Sequence, residues 1–313
     1  MVPLLIGLVI GCGLPAQTAI NSWLRHIVDS PLRSSMISFT VGTLFLAAVL
    51  LLTMQGLLVP GAIASSQPWW VWTGGVLGVV YLTGNIILFP HLGAAQTVIM
   101  PVVGQLIMSM LIDNFGWFAL PSHALTVVRV LGGVVVLLGV LLVVFSTPVP
   151  PAARQRTASR ATQLTQTLPW QVAGICTGMI SASQMAINGH LGAVLHSPAK
   201  AAFISFVVGT IALWIIVAIY DRGIHLASAF SRDNPWWVWT GGIIGGLFVL
   251  GNAFLVPELG TGLTVVIVLF GMIAGGLMID GLGLLGAKRI AVKPIQLSGI
   301  LTLVAGVVLI KLF

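Results

Sequence analysis

The sequence predicts an all-α polytopic membrane protein with ten transmembrane helices, arranged as two inverted five-helix repeats. Three observations carry this. First, the 313 residues are 58% hydrophobic and only 6% charged, against roughly 25% charged in soluble domains. The apolar residues gather into repeated, nearly uncharged runs of about 20 residues, the length that crosses a bilayer. Second, Pro68-Trp69-Trp70-Val71-Trp72-Thr73-Gly74-Gly75 returns letter for letter as Pro235-Trp236-Trp237-Val238-Trp239-Thr240-Gly241-Gly242, an offset of 167 residues. Third, each copy holds five runs. Five is odd, so if every run spans, the second copy crosses the membrane in the opposite sense, as in many secondary transporters.

In chain order, the runs lie near 2–20, 34–56, 70–89, 93–112 and 127–147. Prolines 148, 150 and 151 follow, then Arg154, Arg156 and Arg160 among Gln, Thr and Ser, a stretch without apolar periodicity that reads as a linker. Five more runs lie near 170–190, 200–220, 237–257, 261–280 and 296–313. The predicted organisation is a first repeat over 1–147, a cytoplasmic linker over 148–168 and a second repeat over 169–313. The 167-residue offset holds without a gap. Gln17 and Asn21 meet Gln184 and Asn188, Phe39 meets Phe206, Gly42-Thr43 meets Gly209-Thr210, and Asn85 meets Asn252. Pro90 and Pro257 are expected to end the third run of each repeat, with little more than a tight turn before the fourth. Pro101 should kink the fourth run of the first repeat only, because its partner is Val268. Gly74 and Gly78, and likewise Gly241 and Gly245, have the small-xxx-small spacing that lets helices approach closely.

Charge sets an orientation. The loops on the linker side carry Arg25, Arg33, Arg154, Arg156, Arg160, Arg222, Arg232, Lys288, Arg289 and Lys293, and the other side only Arg129, Lys200 and Lys311. Basic residues favour the cytoplasm, which places the linker there and both termini outside. The net charge of +7 therefore suits membrane orientation better than a nucleic-acid surface. The first run lacks a basic leader and has a repeat partner in mid-chain, so it should be retained. Cys12 and Cys176 lie in apolar runs at non-matching positions and read as small buried hydrophobes. The tryptophans open the third run of each repeat and read as interface anchors, with Trp69 and Trp70 outside and Trp236 and Trp237 inside; the other reading is a stacking wall for a ligand.

No nucleophile elbow, phosphate loop, HExxH or close metal-ligand cluster occurs, so neither enzyme, metal site nor cofactor is expected. The candidates are polar residues in apolar runs, which are costly there. Gln17 and Asn21, and Gln184 and Asn188, each share one helix face. They, with Asn85 and Asn252, either fix packing by interhelical hydrogen bonds or line a cavity. Gln105 stands alone, since its partner is Met272. Four ionisable groups are coupling or gating candidates. Asp113 and Asp280 sit at the ends of the fourth runs, where either helix-terminal solvation or an ion pair would account for them. His91 and Glu258 are equivalent by the offset and could differ as proton acceptors, or be solvated loop residues.

Gln17…Asn21, Ser30-Pro31, Ser38-Phe39…Gly42-Thr43, the tryptophan box, Pro90…Leu92-Gly93, and Gly104-Gln105 followed by Asp113…Gly116 resemble the YdcZ-like family of the drug/metabolite transporter superfamily, in its fused two-domain form. The resemblance covers nearly everything but the linker and implies a drug/metabolite transporter-like fold and small-molecule transport by alternating access, with no defined substrate. The second repeat departs from the pattern where Gly104-Gln105 becomes Gly271-Met272.

The expectation is a bacterial inner-membrane secondary transporter, an exporter of a small metabolite or drug-like molecule, with protons as the natural coupling ion. The alternative is a non-transporting scaffold or assembly protein. The expected partners are a small-molecule substrate and the lipid bilayer, with no nucleic acid. Fusion of the repeats makes a monomer sufficient and leaves a homodimer open. A reporter active only in the periplasm, fused after Phe313, should be active; activity of a cytoplasm-only reporter there would reverse the orientation.

Overall fold

The fold is given by a computed structural model that describes residues 2–146, 160–221, 226–231, 234–284 and 293–312. Within them the regular structure is entirely helical: α1 Val2–Val28, α2 Pro31–Leu52, α3 Gly61–Ser66, α4 Gly74–Phe115, α5 Val127–Ser146, α6 Arg160–Val194, α7 Pro198–Tyr220, α8 Thr240–Leu259, α9 Thr261–Leu282 and α10 Pro294–Leu312. Among the described residues, eight helical segments are long and apolar enough to cross a membrane. The chain is a polytopic membrane protein. Arg154, Arg156, Arg222, Arg232, Lys288 and Arg289, which contribute to the charge bias, lie outside the described residues.

Matching signals in the two repeats set matching helix ends. Ser30 and Ser197 accept from the amides of Arg33 and Lys200 at 3.3 and 3.1 Å, with Pro31 and Pro198 in the first helical position; the hydroxyl satisfies an orphan donor, and the proline costs none. α4 and α9 both stop at a left-handed glycine, Gly116 (φ 62°) and Gly283 (φ 67°), a conformation in which a Cβ would be strained. Each tryptophan box folds into one 3-10 turn, Trp69–Trp72 and Trp236–Trp239. Thr73 and Thr240 close these turns by donating to the Trp70 and Trp237 carbonyls, both at 2.7 Å.

The third and fourth runs of the first repeat form a single helical stretch, α4. Helical backbone continues through Pro90, and in the second repeat it continues two residues past Pro257 before dividing at Gly260 (φ 79°). The prolines therefore do not end the third runs. α4 nevertheless doubles back. Its first arm meets α6 at Gly74–Asn188, Gly78–Gln184 and Gly84–Thr177, running antiparallel, whereas its second arm meets α6 at Met100–Gly174 and Gly104–Met179, running parallel. Tyr81 and Gln105 are about 36 Å apart along a straight helix, yet their polar atoms lie 3.5 Å apart. The reversal falls between Gly84 and Met100. Pro101 is buried in the second arm, its carbonyl pressed on Gly178.

The same directions recur with the repeats exchanged. α1 runs antiparallel to α8 (Asn21–Gly241, Ile10–Gly251) and parallel to α9 (Gly7–Ile267, Gly11–Gly271). α5 and α10 are antiparallel, with Gly132 against the Gly306 carbonyl and Gly139 against that of Gly299. α2 and α7 cross at equivalent residues: the Phe39 and Phe206 rings stack with centroids 4.8 Å apart, and the Thr43 and Thr210 hydroxyls lie 2.8 Å apart. In lipid there is no hydrophobic force between helices, so these glycine-lined backbone contacts and side-chain hydrogen bonds supply the attraction. The equivalent residues Leu44 and Ile211 are 65% and 56% exposed, as expected of side chains that face acyl chains.

Two further expectations change. α6 begins at Arg160, inside the expected linker, and Cys176 is exposed rather than buried; an apolar run is covered by lipid as well as by protein, so composition does not say which face a residue takes. Gly104→Leu should collide with the Ile175 carbonyl and lower stability by about 1–3 kcal/mol. Gly61→Ala, where no atom lies within 4 Å, should be near neutral. Reversible unfolding in detergent measures both.

Candidate functional site: a polar centre between the repeats

Where the repeats meet, each first helix presses its amide pair onto the glycines that open the other repeat's third run. A Cβ on Gly245 would lie 2.6 Å from Gln17 Nε2, and one on Gly241 2.5 Å from Asn21 Oδ1. Reciprocally, a Cβ on Gly78 would lie 2.6 Å from Gln184 Nε2, and Gly74 holds Asn188 Oδ1 closer still. The glycines thus admit side-chain amides rather than simply bringing backbones together. The adjacent Gly75 and Gly242 take the backbone of α7 at Ser205 and of α2 at Ser38. Asn21 Oδ1 accepts from Ser38 Oγ at 2.5 Å, and Asn188 Nδ2 donates to the equivalent Ser205 Oγ at 3.2 Å.

Beyond this shared frame the repeats differ. Gln105 Nε2 donates to Ser181 Oγ at 3.1 Å and approaches the Tyr81 hydroxyl at 3.5 Å. Tyr81 is also within hydrogen-bonding range of Asn85, one turn on. The residues equivalent to Tyr81, Gln105 and Ser181 are Phe248, Met272 and Leu14. On α6, Thr177, Ser181, Gln184 and Asn188 recur every three or four residues and form a polar stripe toward α4; α1 has Ile10 and Leu14 in place of the first two. Asn252, 1% exposed, donates to the Phe248 carbonyl at 2.9 Å. The Oδ1 atoms of Asn85 and Asn252 are both buried without a partner.

The ionisable candidates fall outside this centre. Asp113 is 1% exposed and is not a solvated helix end. Its Oδ2 lies 3.2 Å from Arg129 Nη2, and its carboxylate accepts from the amides of Thr261 (2.7 Å) and Gly262 (2.9 Å). A first-repeat carboxylate thus caps α9, where the helix dipole and free N–H groups favour an anion. Gly262 is needed for that approach, since a Cβ there would lie 2.9 Å from Asp113 Oδ2. His91 is exposed and stacks on Trp170, centroids 3.6 Å apart, and Glu258 is exposed near the end of α8. The side chain of Asp280 lies outside the described residues. Gln296, buried, occupies the position equivalent to Arg129.

Sequence reasoning missed a second ion pair. Arg33 Nε lies 3.1 Å from Asp221 Oδ2, which also accepts from Ser30 Oγ at 2.7 Å. Ser197, the partner of Ser30, instead donates to Gln55 Oε1. One end of the α2–α7 pair is therefore closed by charge and the other by neutral groups. The signal lay in the offset, which pairs the two cap serines, but only folding brings each to the far end of the opposite helix. Tyr81 was also missed, although its replacement by Phe248 marks it. The first tryptophan of each box is exposed (Trp69 79%, Trp236 78%), as an interface anchor should be. The second touches the other repeat, Trp70 against His190 and Trp237 against Trp23, with centroids 5.3 and 5.6 Å apart.

A shell of apolar helices around uncharged amides, with ion pairs kept to the helix ends, defines a multi-pass membrane protein with a polar centre. The chain belongs to the family described as "Putative inner membrane exporter, YdcZ", whose profile matches residues 2–142 and again 169–309. It is therefore an inner-membrane protein of a transporter family, in the two-repeat form. Among curated proteins, the Inner membrane protein YdcZ of Escherichia coli (strain K12) is 28% identical over 115 residues, 37% of this chain and 76% of that protein. A solved crystal structure superposes on 99% of this chain and 96% of its own with a TM-score of 0.65 at 15% identity, a likeness of fold alone.

Asp113→Asn leaves Arg129, 8% exposed, without its counter-charge, and should cost about 3–5 kcal/mol. Asp113→Asn with Arg129→Met should recover part of that loss. A double-mutant cycle by detergent unfolding measures the coupling.

Proposed function

We propose that the protein is a secondary transporter of the bacterial inner membrane, an exporter that moves a small metabolite or drug-like molecule by alternating access. It is built from two inverted five-helix repeats, with the two arms of α4 counting as the third and fourth spans of the first. The inverted reading is supported by α1 running with α9, α6 running with the second arm of α4, and α5 opposing α10. The linker is cytoplasmic and both termini periplasmic, following the charge bias.

The observation that carries the transport reading is the reciprocal packing of Gln17 and Asn21 on Gly245 and Gly241, and of Gln184 and Asn188 on Gly78 and Gly74. Equivalent contacts made in both directions let the two repeats exchange conformations at little net cost, which is what opening first to one side and then to the other requires. Substrate is held by Gln17, Asn21, Asn85, Gln105, Gln184, Asn188 and Asn252. The Arg33–Asp221 pair closes the cytoplasmic end of α2–α7, and Ser197–Gln55 closes the periplasmic end. Protons are the coupling ion, taken up at Glu258 and His91, equivalent positions on opposite faces. Asp113 is a fixed capping anion in this scheme, and Asp280 is the equivalent candidate at the other face. The scheme calls for no cofactor, and a monomer suffices for it because the repeats supply both halves of the site, with a homodimer left open.

Gln17→Leu with Gln184→Leu should abolish export while leaving a folded protein. The readout is an untargeted comparison of growth medium from cells producing the native or the variant chain. Unchanged export would make the amides packing elements; no difference in medium between cells producing and cells lacking the native chain would favour the scaffold reading. In proteoliposomes an imposed proton gradient should change the transport rate; a rate indifferent to it removes the proton from the scheme.

A further inference from the structure

Charge is absent from the cluster that distinguishes the repeats. Among the described residues, no acidic or basic side chain hydrogen-bonds to Tyr81, Asn85, Gln105, Ser181, Gln184 or Asn188. The two ion pairs are complete in themselves and sit at helix ends: Asp113 is matched by Arg129 and two backbone amides, and Asp221 by Arg33 and Ser30. An ion brought into the centre would lose its hydration and meet no opposite charge, an arrangement that membranes rarely tolerate.

The cluster also leaves one kind of hydrogen-bonding capacity unused. Gln105 directs its N–H groups to Ser181 and Tyr81. Asn85 and, in the second repeat, Asn252 retain buried carbonyl oxygens with no donor. A buried acceptor without a partner is costly, so a bound molecule that supplies an N–H or O–H recovers that loss. The cluster has no mirror: it joins α4 to α6, whereas the reciprocal places on α8, α9 and α1 hold Phe248, Met272 and Leu14 in place of Tyr81, Gln105 and Ser181.

We propose that the substrate is an uncharged, hydrogen-bond-donating molecule, such as an amide, polyol or nucleoside, bound between α4 of the first repeat and α6 of the second at Tyr81, Asn85, Gln105 and Ser181. This rests on the transporter reading and narrows its substrate class. A site that hydrogen-bonds a donor discriminates strongly against analogues lacking it, because its own polar groups are then left unpaired.

The test is ligand-induced thermal stabilisation of the purified full chain in detergent, with three metabolite sets at pH 7: uncharged donor-bearing amides, polyols and nucleosides; organic anions; and organic cations. Tyr81→Phe and Gln105→Met install the second repeat's own residues, which this helix packing already accommodates at Phe248 and Met272. Met272→Gln is the mirror control. The expected result is stabilisation led by members of the uncharged set. The apparent affinity should fall at least tenfold in Tyr81→Phe and in Gln105→Met, and stay unchanged in Met272→Gln. Stabilisation led by anions or cations, an uncharged compound indifferent to both first-repeat variants, or no response to the uncharged set overturns the proposal. An ionic stabiliser whose binding is lost in Gln17→Leu would leave the transporter reading standing and remove only the substrate class. Growth medium that does not differ between cells producing and cells lacking the native chain would instead remove the transporter reading itself.

Discussion

The amide-on-glycine contact at the repeat boundary is the constraint on which the other helix positions depend. Gln17 and Asn21 leave no room for a side chain at Gly245 and Gly241, and Gln184 and Asn188 leave none at Gly78 and Gly74. Once these first helices are seated, the next glycine of each box, Gly75 or Gly242, is brought against the second helix of the opposite repeat. α2 and α7 are then held between the two first helices, where Phe39 meets Phe206 and Thr43 meets Thr210. In a bilayer an unpaired amide is expensive and apolar contact between helices gains little over contact with lipid. A polar side chain received by a glycine, with a serine to bond it, is therefore an economical way to fix one helix against another.

On this symmetric frame the chemistry is unequal. The frame carries Gln and Asn in both repeats, and its side-chain hydrogen bonds include those of Asn21 and Asn188 with Ser38 and Ser205. Tyr81, Gln105 and Ser181 are needed by no packing rule, since Phe248, Met272 and Leu14 fill the equivalent places. The ends are unequal too: Arg129 pairs with Asp113 where Gln296 stands in the other repeat, and Arg33–Asp221 faces Ser197–Gln55. Duplication supplies two copies of a scaffold, and divergence within it leaves the α4–α6 junction bearing Tyr81, Gln105 and Ser181, and its reciprocal, where α1 meets α8 and α9, with apolar residues in their places.

Much of the site could be read along the chain, and the reasons for the rest are specific. Gln17, Asn21, Gln184 and Asn188 were legible because four-residue spacing puts each pair on one face, and Gln105 because its partner Met272 is apolar. Asp113 was legible as a candidate but not in its environment: nothing local to α4 says that the N-terminus of α9 and Arg129 will close around it. The prolines misled about helix ends. Pro90 and Pro257 lie within helical backbone because proline removes one donor and sets φ but does not dictate where a chain turns. The turn is located by contacts, with Gly84 and Pro101 both reaching the same part of α6.

The sequence by itself determined that this chain lives in a membrane, that it is two copies of one unit, and which polar residues are shared or unshared between them. Apolar length and a constant offset are properties of the chain alone, readable without knowing what touches what. Only the tertiary structure decided which copy's helix each residue would meet: Gln17 on Gly245, Asp113 on α9, Ser30 on Asp221, Tyr81 on Gln105 across the doubled α4. Those contacts join residues far apart in the chain, and the close approach of backbones at glycine selects them, a geometric condition that residue order does not encode locally.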